Sequence, residues 1–362
     1  SMNKLIFRKL YIDIIDSNSS NEFYNEWGTV SNKNTKSALS IYSDKIFAKN
    51  KIFTNQSITT LSVGKVIESN SGIFDLAIFD EASQTDIISA LPILFRANKV
   101  LVIGDEKQLN PIISVRNEKD LINWHAYNLP EEIYDKYSYT SNSLLSTSDK
   151  IIKSHNMSRT ILKEHYRCHP DIINFSNRFF YDNILRVKTE QLNDGGIEFI
   201  SHNGDCQKPP DNRSWINEEE IILVIDKLLN LKKSLSCKDI GVVTPFRAQA
   251  MEIKNRISKL ESFTENDLIN LTIDTAHKFQ GDEKKVMIYS LTAGPSMSEK
   301  TYSWMSGGDA SNPHERNLIN VAVTRARSKL YIIGNENFIL SKSGLLTELI
   351  NWTYFCNRKS EL

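Results

Sequence analysis

The chain has 362 residues, enough for two domains of ordinary size. Its 40% apolar and 24% charged residues are typical of a globular protein, and its longest apolar runs are too short to cross a bilayer, so we expect no membrane partner. Lysine plus arginine and aspartate plus glutamate each number 44, so the net charge is zero and any nucleic-acid-binding surface must be a local basic patch. Four scattered cysteines without a CxxC pair argue against zinc and disulfides, and favour a cytoplasmic or nuclear location.

Strand patterns alternate with helix patterns along most of the chain. The first part predicts helical pieces at 1–50, a strand and turn at 56–63, a buried strand at 74–79, a helix at 84–97 bent at Pro92, a buried strand at 99–105 and short helices at best over 112–160. The second part predicts strands at 197–200, 240–243, 271–273, 285–291 and 330–333, helices at 217–231, 247–259 and 314–327, a disordered insert at 292–312 and a terminal helix. This alternation predicts an α/β fold with mostly parallel sheets.

An acidic pair, Asp80 and Glu81, ends the buried strand at 74–79. In open α/β sheets, chemistry takes place at the carboxyl ends of strands. An aspartate there can hold Mg²⁺ through water, and a neighbouring glutamate can orient and deprotonate an attacking water. Alternatively, the two acids cap the next helix, whose dipole favours negative charge at its N-terminus. These residues alone leave both interpretations open.

Six short blocks occur in one order along the chain. They are ITT at 58–60, DEASQ at 80–84, GDEKQLNP at 104–111, HYRCHP at 165–170, FQGDE at 279–283 and VAVTRAR at 321–327. Together they resemble the superfamily-1 helicases of the nonsense-mediated-decay type, over residues of about 52 to 355. The resemblance implies two RecA-like domains, at 51–150 and 151–362, after an N-terminal segment at 1–50. It also implies an ATP-driven 5′-to-3′ translocase that uses ATP and Mg²⁺ on single-stranded DNA or RNA.

The resemblance implies catalytic roles for Glu81, Gln108, Arg167 and Arg325, with Asp80 at the metal. Glu81 would activate water, and the neutral amide of Gln108 would sense the γ-phosphate. Arg167 and Arg325 would stabilise charge on the γ-phosphoryl oxygens from the second domain, a role typically worth ~10³–10⁵ in rate. Because both arginines would reach across a cleft, hydrolysis would require domain closure.

Each role has an ordinary alternative. Gln108 could be a surface-turn glutamine, and either arginine could belong to a simple ion pair. Arg327 lies two residues beyond Arg325 on a predicted helix, so we expect it to point away and to form a salt bridge.

Four further residues are implied to contact the nucleotide: Tyr166, Gln280, Gly281 and Glu283. Tyr166 could stack on adenine, or be a core or hinge tyrosine. Gly281 would allow the backbone to approach closely, and Glu283 would accept from ribose hydroxyls. The alternative for Gln280 to Glu283 is a hairpin turn between the strands at 271–273 and 285–291.

Nucleic acid is expected on the face opposite the nucleotide cleft. The candidate residues lie at strand ends or turns and suit phosphate contacts that do not read sequence: Thr59, Thr60, Thr244, Pro245, Thr275 and His277. A helix at 247–259 carries a local basic face, formed by Arg247, Lys254, Arg256 and Lys259. A solvated helix surface explains that face equally well.

The phosphate-binding loop of the family, GxxxxGK[ST], is missing from this sequence. Gly64-Lys65 does not complete it, because residue 59 is threonine and residue 66 is valine. We therefore expect the first RecA-like domain to be incomplete at its N-terminus, with an uncovered sheet edge. The chain could be the C-terminal piece of a longer helicase, which we favour, or half of an enzyme whose loop comes from a partner chain. It could also be a non-catalytic pseudo-helicase that binds nucleic acid or protein. We expect the isolated chain to bind ATP weakly and to hydrolyse almost none.

Overall fold

The structure is a computed structural model. It describes residues 57–67, 69–191, 194–210, 214–279, 281–308 and 313–360, so the predicted helical segment at 1–50 lies outside the described residues. The described chain forms two compact units. The first holds residues up to 104 together with 111–155, and the second holds residues 105–110 and those from 156 onward. Within the described part of the chain, no helix combines the length and the apolar character that a membrane span requires.

The first unit packs helices on a two-stranded parallel sheet. Its elements are α1 (Thr60–Val66), β1 (Ala77–Phe79), α2 (Ile87–Arg96), β2 (Val100–Val102), α3 (Asn117–Ala126), a 3₁₀ turn (Glu131–Ile133), α4 (Tyr134–Tyr137) and α5 (Leu144–Ser154). Strand β1 pairs with β2 over its full length, with Ala77 opposite Val100. The small core of this unit contains Phe79, Ala90 and Leu144.

Two predictions for the first unit are wrong. The stretch predicted as a strand at 56–63 contributes to helix α1, because Val63 and Ile67, four residues apart, are both buried beside Ile93 of α2. Residues 112–160 contain more than short helices, since α3 and α5 have 10 and 11 residues. Helix α5 is favoured by a capping box, in which Ser143 and Ser146 exchange hydrogen bonds at its N-terminus.

The second unit is built on a five-stranded, wholly parallel sheet. Its elements are β3 (Glu164–His165), α6 (Pro170–Phe180), β4 (Arg186–Val187), β5 (Gly196–His202), β6 (Cys206–Gln207), β7 (Ile216–Asn217), α7 (Glu218–Lys232), a 3₁₀ turn (Cys237–Asp239), β8 (Ile240–Thr244), α8 (Arg247–Ile257), α9 (Glu265–Asn270), β9 (Thr272–Thr275), β10 (Lys284–Ser290), α10 (Glu299–Met305), α11 (Pro313–Thr324), β11 (Ala326–Asn335), α12 (Glu336–Leu340) and α13 (Leu345–Ser360). The strand order is β5-β11-β10-β8-β9.

Apolar layers cover both faces of this sheet. Along β10, Met287 and Tyr289 join one core cluster while Ile288 joins the other. Successive side chains of a strand point to opposite faces, so the two clusters lie on the two sides of the sheet. Helices α6, α11 and α13 supply the first cluster, and α7 and α8 the second. The predicted α/β class, with mostly parallel sheets, is confirmed.

Three local predictions in the second unit are wrong. Strands β9 and β10 do not form a hairpin, because both run parallel to β8, which lies between them. The insert at 292–312 contains helix α10. The helix predicted at 314–327 ends at Thr324, and strand β11 begins at Ala326. Arg327 therefore lies on a strand rather than on a helix.

Candidate functional site

In the first unit, the two acids follow strand β1 directly. Asp80 is exposed, and its Oδ1 accepts a hydrogen bond of 2.9 Å from the N–H of Glu81. Glu81 has a left-handed backbone, with φ of 52°, and its carboxylate accepts from Gln84 Nε2 at 3.3 Å. Neither acid caps α2, because Asp86 does so by accepting from Ser89 N. A single exposed carboxylate at a strand end suits Mg²⁺, which keeps most of its water shell.

In the second unit, two arginines and a glutamate meet at the amino ends of β10 and β11. Lys284 pairs with Ala326 in the sheet, so the residues preceding them, Glu283 and Arg325, lie side by side. Arg167 Nε lies 2.6 Å from Glu283 Oε2. Arg325 Nη1 donates to the carbonyl of Asp282 at 3.3 Å. The structure therefore brings together three residues that the sequence placed far apart.

The three arginines near Glu283 are held differently. Arg325 is only 2% exposed, and its Nε donates to the carbonyl of Val321 at 3.3 Å. The Arg167 side chain is 45% exposed. Arg327 Nε lies 3.8 Å from Glu283 Oε1, so the salt bridge expected for Arg327 is present. The expectation that Arg327 points away is wrong, because it lies on strand β11 and shares Glu283 with Arg167.

The buried thiol of Cys168 lies among the same charges. Burial raises the pKa of Cys168 to about 12; the nearby Arg167 and Arg325 oppose that rise, and Glu283 adds to it. Cys168 Sγ also lies 3.5 Å from the carbonyl of Thr324, at the end of α11. A thiol with so high a pKa is protonated near neutral pH.

Gln108 belongs to the second unit, in a tight turn led by Asp105. The N–H of Gln108 donates to the Asp105 carbonyl at 3.1 Å, and its Nε2 lies 3.4 Å from Asp105 Oδ2. Its Oε1 is buried and has no hydrogen-bond partner among the described residues. A buried acceptor without a partner costs about 1–3 kcal/mol, and such atoms require an explanation. One explanation is that Gln108 Oε1 accepts a hydrogen bond from a bound group.

Three residues around this turn escaped the sequence-based prediction: Tyr181, Asn317 and Asn320. Tyr181 Oη donates to Asp105 Oδ2 at 2.6 Å. Asn317 and Asn320 each donate through Nδ2 to main-chain carbonyls of the turn. Asparagine is unfavourable inside a helix, so Asn317 and Asn320, three residues apart within a predicted helix, were the sequence feature that could have indicated a special role.

The nucleotide-contact candidates have mixed surroundings. The Tyr166 side chain is 68% exposed, with its hydroxyl donating to Glu164, so it is not a core tyrosine. Gln280 lies outside the described residues. Gly281 has φ of 81°, and an added Cβ would meet nothing within 4 Å, so its backbone conformation rather than crowding favours glycine.

The nucleic-acid candidates of the second unit lie at the opposite, carboxyl end of its sheet. Thr244 and Thr275 are the last residues of β8 and β9, with Pro245 and His277 just beyond. Thr244 and Pro245 are buried, and the Thr244 hydroxyl lies 3.1 Å from that of Thr292. Thr275 is half-buried. His277 is exposed, although desolvation by nearby protein lowers its pKa.

The remaining candidates are Thr59 and Thr60 of the first unit, at the start of α1. Thr59 is exposed, and its hydroxyl lies 2.8 Å from that of Ser62.

The basic face predicted on α8 is largely neutralised. Arg256 pairs with Glu218 and, at 2.8 Å, with Glu252. Lys254 lies 3.3 Å from Asp274. These ion pairs favour the solvated-surface interpretation for these two side chains.

Comparisons with known proteins agree with this architecture. The chain matches AAA domain families at residues 16–115 and 142–337, and the second match covers more than half of the chain. It is 29% identical over 332 residues to an uncharacterized ATP-dependent helicase of Mycoplasma genitalium, covering 84% of this chain and 27% of that protein. It is 28% identical over 281 residues to the probable helicase senataxin of Homo sapiens, covering 72% and 9%.

Among solved structures, the chain is similar to the PRRSV helicase at 15% identity, with a TM-score of 0.34, over 74% of this chain and 36% of that one. That score is too low to decide the fold, which rests on the sheet topology. The match spans 27% and 9% of the lengths of the two curated helicases above. The two AAA domain matches and the six ordered blocks make it a member of the superfamily-1 helicases of the nonsense-mediated-decay type.

Proposed function

We propose that this chain forms part of an ATP-dependent helicase that moves 5′-to-3′ along single-stranded nucleic acid. The observation that supports this most directly is the meeting of Arg167, Arg325 and Glu283 at the amino ends of β10 and β11. Isolated ion pairs need no such convergence. The relatives named above are called helicases, and both are much longer than this chain.

The proposed roles follow from charge and position. ATP bound with Mg²⁺ would supply the phosphoanhydride whose hydrolysis drives movement. Asp80 would hold the hydrated metal, and Glu81 would orient and deprotonate water. Arg167 and Arg325 would stabilise negative charge on the transferred phosphoryl oxygens. Gln108 would present its buried, unpartnered Oε1 to water and its amide to phosphate.

The proposed nucleotide and nucleic-acid contacts involve two separate groups of residues. Tyr166, Gln280, Gly281 and Glu283 would bind base and ribose. Thr275 and His277 would contact phosphates near the carboxyl ends, with Thr59 and Thr60 contributing from the first unit. Such contacts position a strand without reading its sequence. Thr244 and Pro245 are buried, so they would act by shaping the end of β8 rather than by direct contact.

A second candidate, a pseudo-helicase that binds without turnover, is favoured by one observation. No GxxxxGK[ST] loop occurs in these 362 residues.

For the helicase function, we propose that a region outside this sequence, or a partner chain, supplies that loop. On that view Asp80 and Glu81 serve a site that this chain encodes only in part.

ATP turnover with and without single-stranded DNA or RNA tests these proposals. The isolated chain should bind ATP weakly and hydrolyse almost none; robust stimulated turnover would contradict the missing-loop proposal. Once the loop is supplied, Arg325→Ala or Arg167→Ala should lower stimulated turnover about 10³-fold or more. Arg256→Ala, which removes another ion-paired arginine of the second unit, should leave turnover unchanged. Nucleic-acid binding without ATP turnover, even when the loop is supplied, would favour the pseudo-helicase.

A further inference from the structure

The turn that carries Gln108 is bound to the second unit through its main chain. Asn317 Nδ2 donates to the carbonyls of Glu106 at 2.9 Å and of Gln108 at 2.7 Å. Asn320 Nδ2 donates to the Lys107 carbonyl at 2.7 Å. Three consecutive carbonyls of the turn therefore accept hydrogen bonds from two side chains. We call the residues that hold the turn, Asn317, Asn320 and Tyr181, its seat.

Tyr181 closes this seat at the Asp105 end. Its hydroxyl donates to Asp105 Oδ2 at 2.6 Å and accepts from Asn320 Nδ2 at 3.1 Å. Burial, and after it the Asp105 carboxylate, raise the pKa of Tyr181 far above its usual range, so the hydroxyl keeps its proton. The turn also inserts Leu109, 4% exposed, into the main core of the second unit.

The seat and an arginine of the site share one helix. Asn317 and Asn320 are three residues apart on α11, so they project from the same face. Arg325 follows the last residue of that helix, Thr324, directly. Arg325 also lies close enough to Tyr181 to affect its pKa. Helix α11 therefore fixes the position of Gln108 relative to Arg325.

We propose that Tyr181, Asn317 and Asn320 are positioning residues, which hold the 105–109 turn so that Gln108 and Arg325 face the same phosphate. This inference rests on the proposed function and extends it. The three residues touch no nucleotide in this scheme; they act through the backbone of the turn. The unpartnered Oε1 of Gln108 would then be kept buried by the seat until a bound group donates to it.

Hydrogen–deuterium exchange of the full chain tests whether the turn is held. Tyr181→Phe and the pair Asn317→Ala with Asn320→Ala should each speed exchange of a peptide spanning 104–110 by about tenfold, because each removes hydrogen bonds that oppose local opening. Tyr354→Phe, which removes another tyrosine-to-carboxylate bond of the same unit, and exposed Asn337→Ala should leave that peptide unchanged. Unchanged exchange in the first two variants would overturn the inference.

Titration with a fluorescent ATP analogue and Mg²⁺ tests whether the hydrogen bonds to the turn are needed for nucleotide binding. The seat variants should lose affinity to the same extent as Gln108→Ala, about tenfold. Faster exchange with affinity retained, while Gln108→Ala loses it, would overturn the positioning role and leave a structural seat. Absence of binding in the unsubstituted chain after the loop has been supplied would overturn the proposed function and the positioning role with it, whereas exchange would still decide whether the turn is held.

Discussion

At the scale of single residues, the charged groups of the site differ in what fixes them. Arg325 is buried and donates to two main-chain carbonyls, so neither salt nor pH readily moves it. Arg167 depends on an exposed ion pair with Glu283, of a kind that salt weakens. The two arginines are alike in sequence patterns, and only burial distinguishes them.

His165 binds the main chain of Cys168 in its neutral form. Its Nε2 accepts from the N–H of Cys168 at 2.9 Å. Burial, and then the neighbouring Arg167, lower the pKa of His165 from 6.5 to about 4. The unfolded chain therefore binds more protons between these values, so this residue stabilises the fold fully above pH 6.5 and loses that contribution as the pH falls towards 4.

Replacing His165 should remove this part of the pH dependence. The whole shift corresponds to about 3 kcal/mol, and we expect about 1–2 kcal/mol because solvent screens a partly exposed ring. Urea unfolding at pH 7 and 4.5 measures it: His165→Gln should lose that much less free energy of unfolding on acidification than the parent chain. Exposed His155→Gln is the control. Equal losses in parent chain and His165→Gln would contradict the assignment.

At the scale of elements, the sheet of the first unit is covered unequally. Phe79 of β1 is buried, whereas its neighbour Ile78 is 60% exposed and Leu101 of β2 is 46% exposed. On α2, Leu91 and Phe95 are also exposed. Each of the two strands has one partner among the described residues.

Substitutions on the two faces of this sheet should have different effects on the free energy of unfolding. Ile78→Thr and Leu101→Thr should change the free energy of unfolding by less than about 0.5 kcal/mol, because these side chains are already in water. They should also lower binding of the dye ANS. Phe79→Ala should cost about 3–5 kcal/mol, since it empties a packed site. A loss above 2 kcal/mol for either threonine variant, in urea unfolding, would mean that the exposed face is covered.

At the scale of the whole molecule, a buried polar network joins the strands of the second unit at their carboxyl ends. Glu220 of α7 is fully buried. Its Oε2 accepts from the Ser290 hydroxyl at 2.6 Å and from the Thr292 N–H at 2.7 Å, and its Oε1 lies 3.2 Å from His202 Nε2. One carboxylate therefore links β5, β10 and the loop that contacts Thr244.

Removing that carboxylate should destabilise the whole unit. Glu220→Ala leaves several buried donors unpaired and should cost about 3–5 kcal/mol. Glu220→Gln keeps the volume and part of the bonding, so we expect roughly 1–2 kcal/mol. The adjacent Glu219, half-exposed, is the control, and Glu219→Ala should cost less than about 0.5 kcal/mol. Equal losses for both alanine variants in urea unfolding would argue against the network.

The parallel α/β class, the strand carrying Asp80 and Glu81, and the second-unit strands were predictable from sequence, because apolar runs and acidic strand ends are local features. Errors arose where local signals were weak or ambiguous. Helix α1 is decided by burial of Val63 and Ile67 against another helix, and the end of α11 by the start of a paired strand.

Residue order alone was enough to name candidate side chains for the chemistry, since the six blocks are short and local. Only the tertiary structure decided which of them meet, because proximity depends on strand register and order. The register of β10 on β11 places Glu283 beside Arg325, and β8 between β9 and β10 excludes the hairpin. The seat of the 105–109 turn needs Tyr181, Asn317 and Asn320, which lie more than 70 residues away along the chain and become its neighbours only through packing.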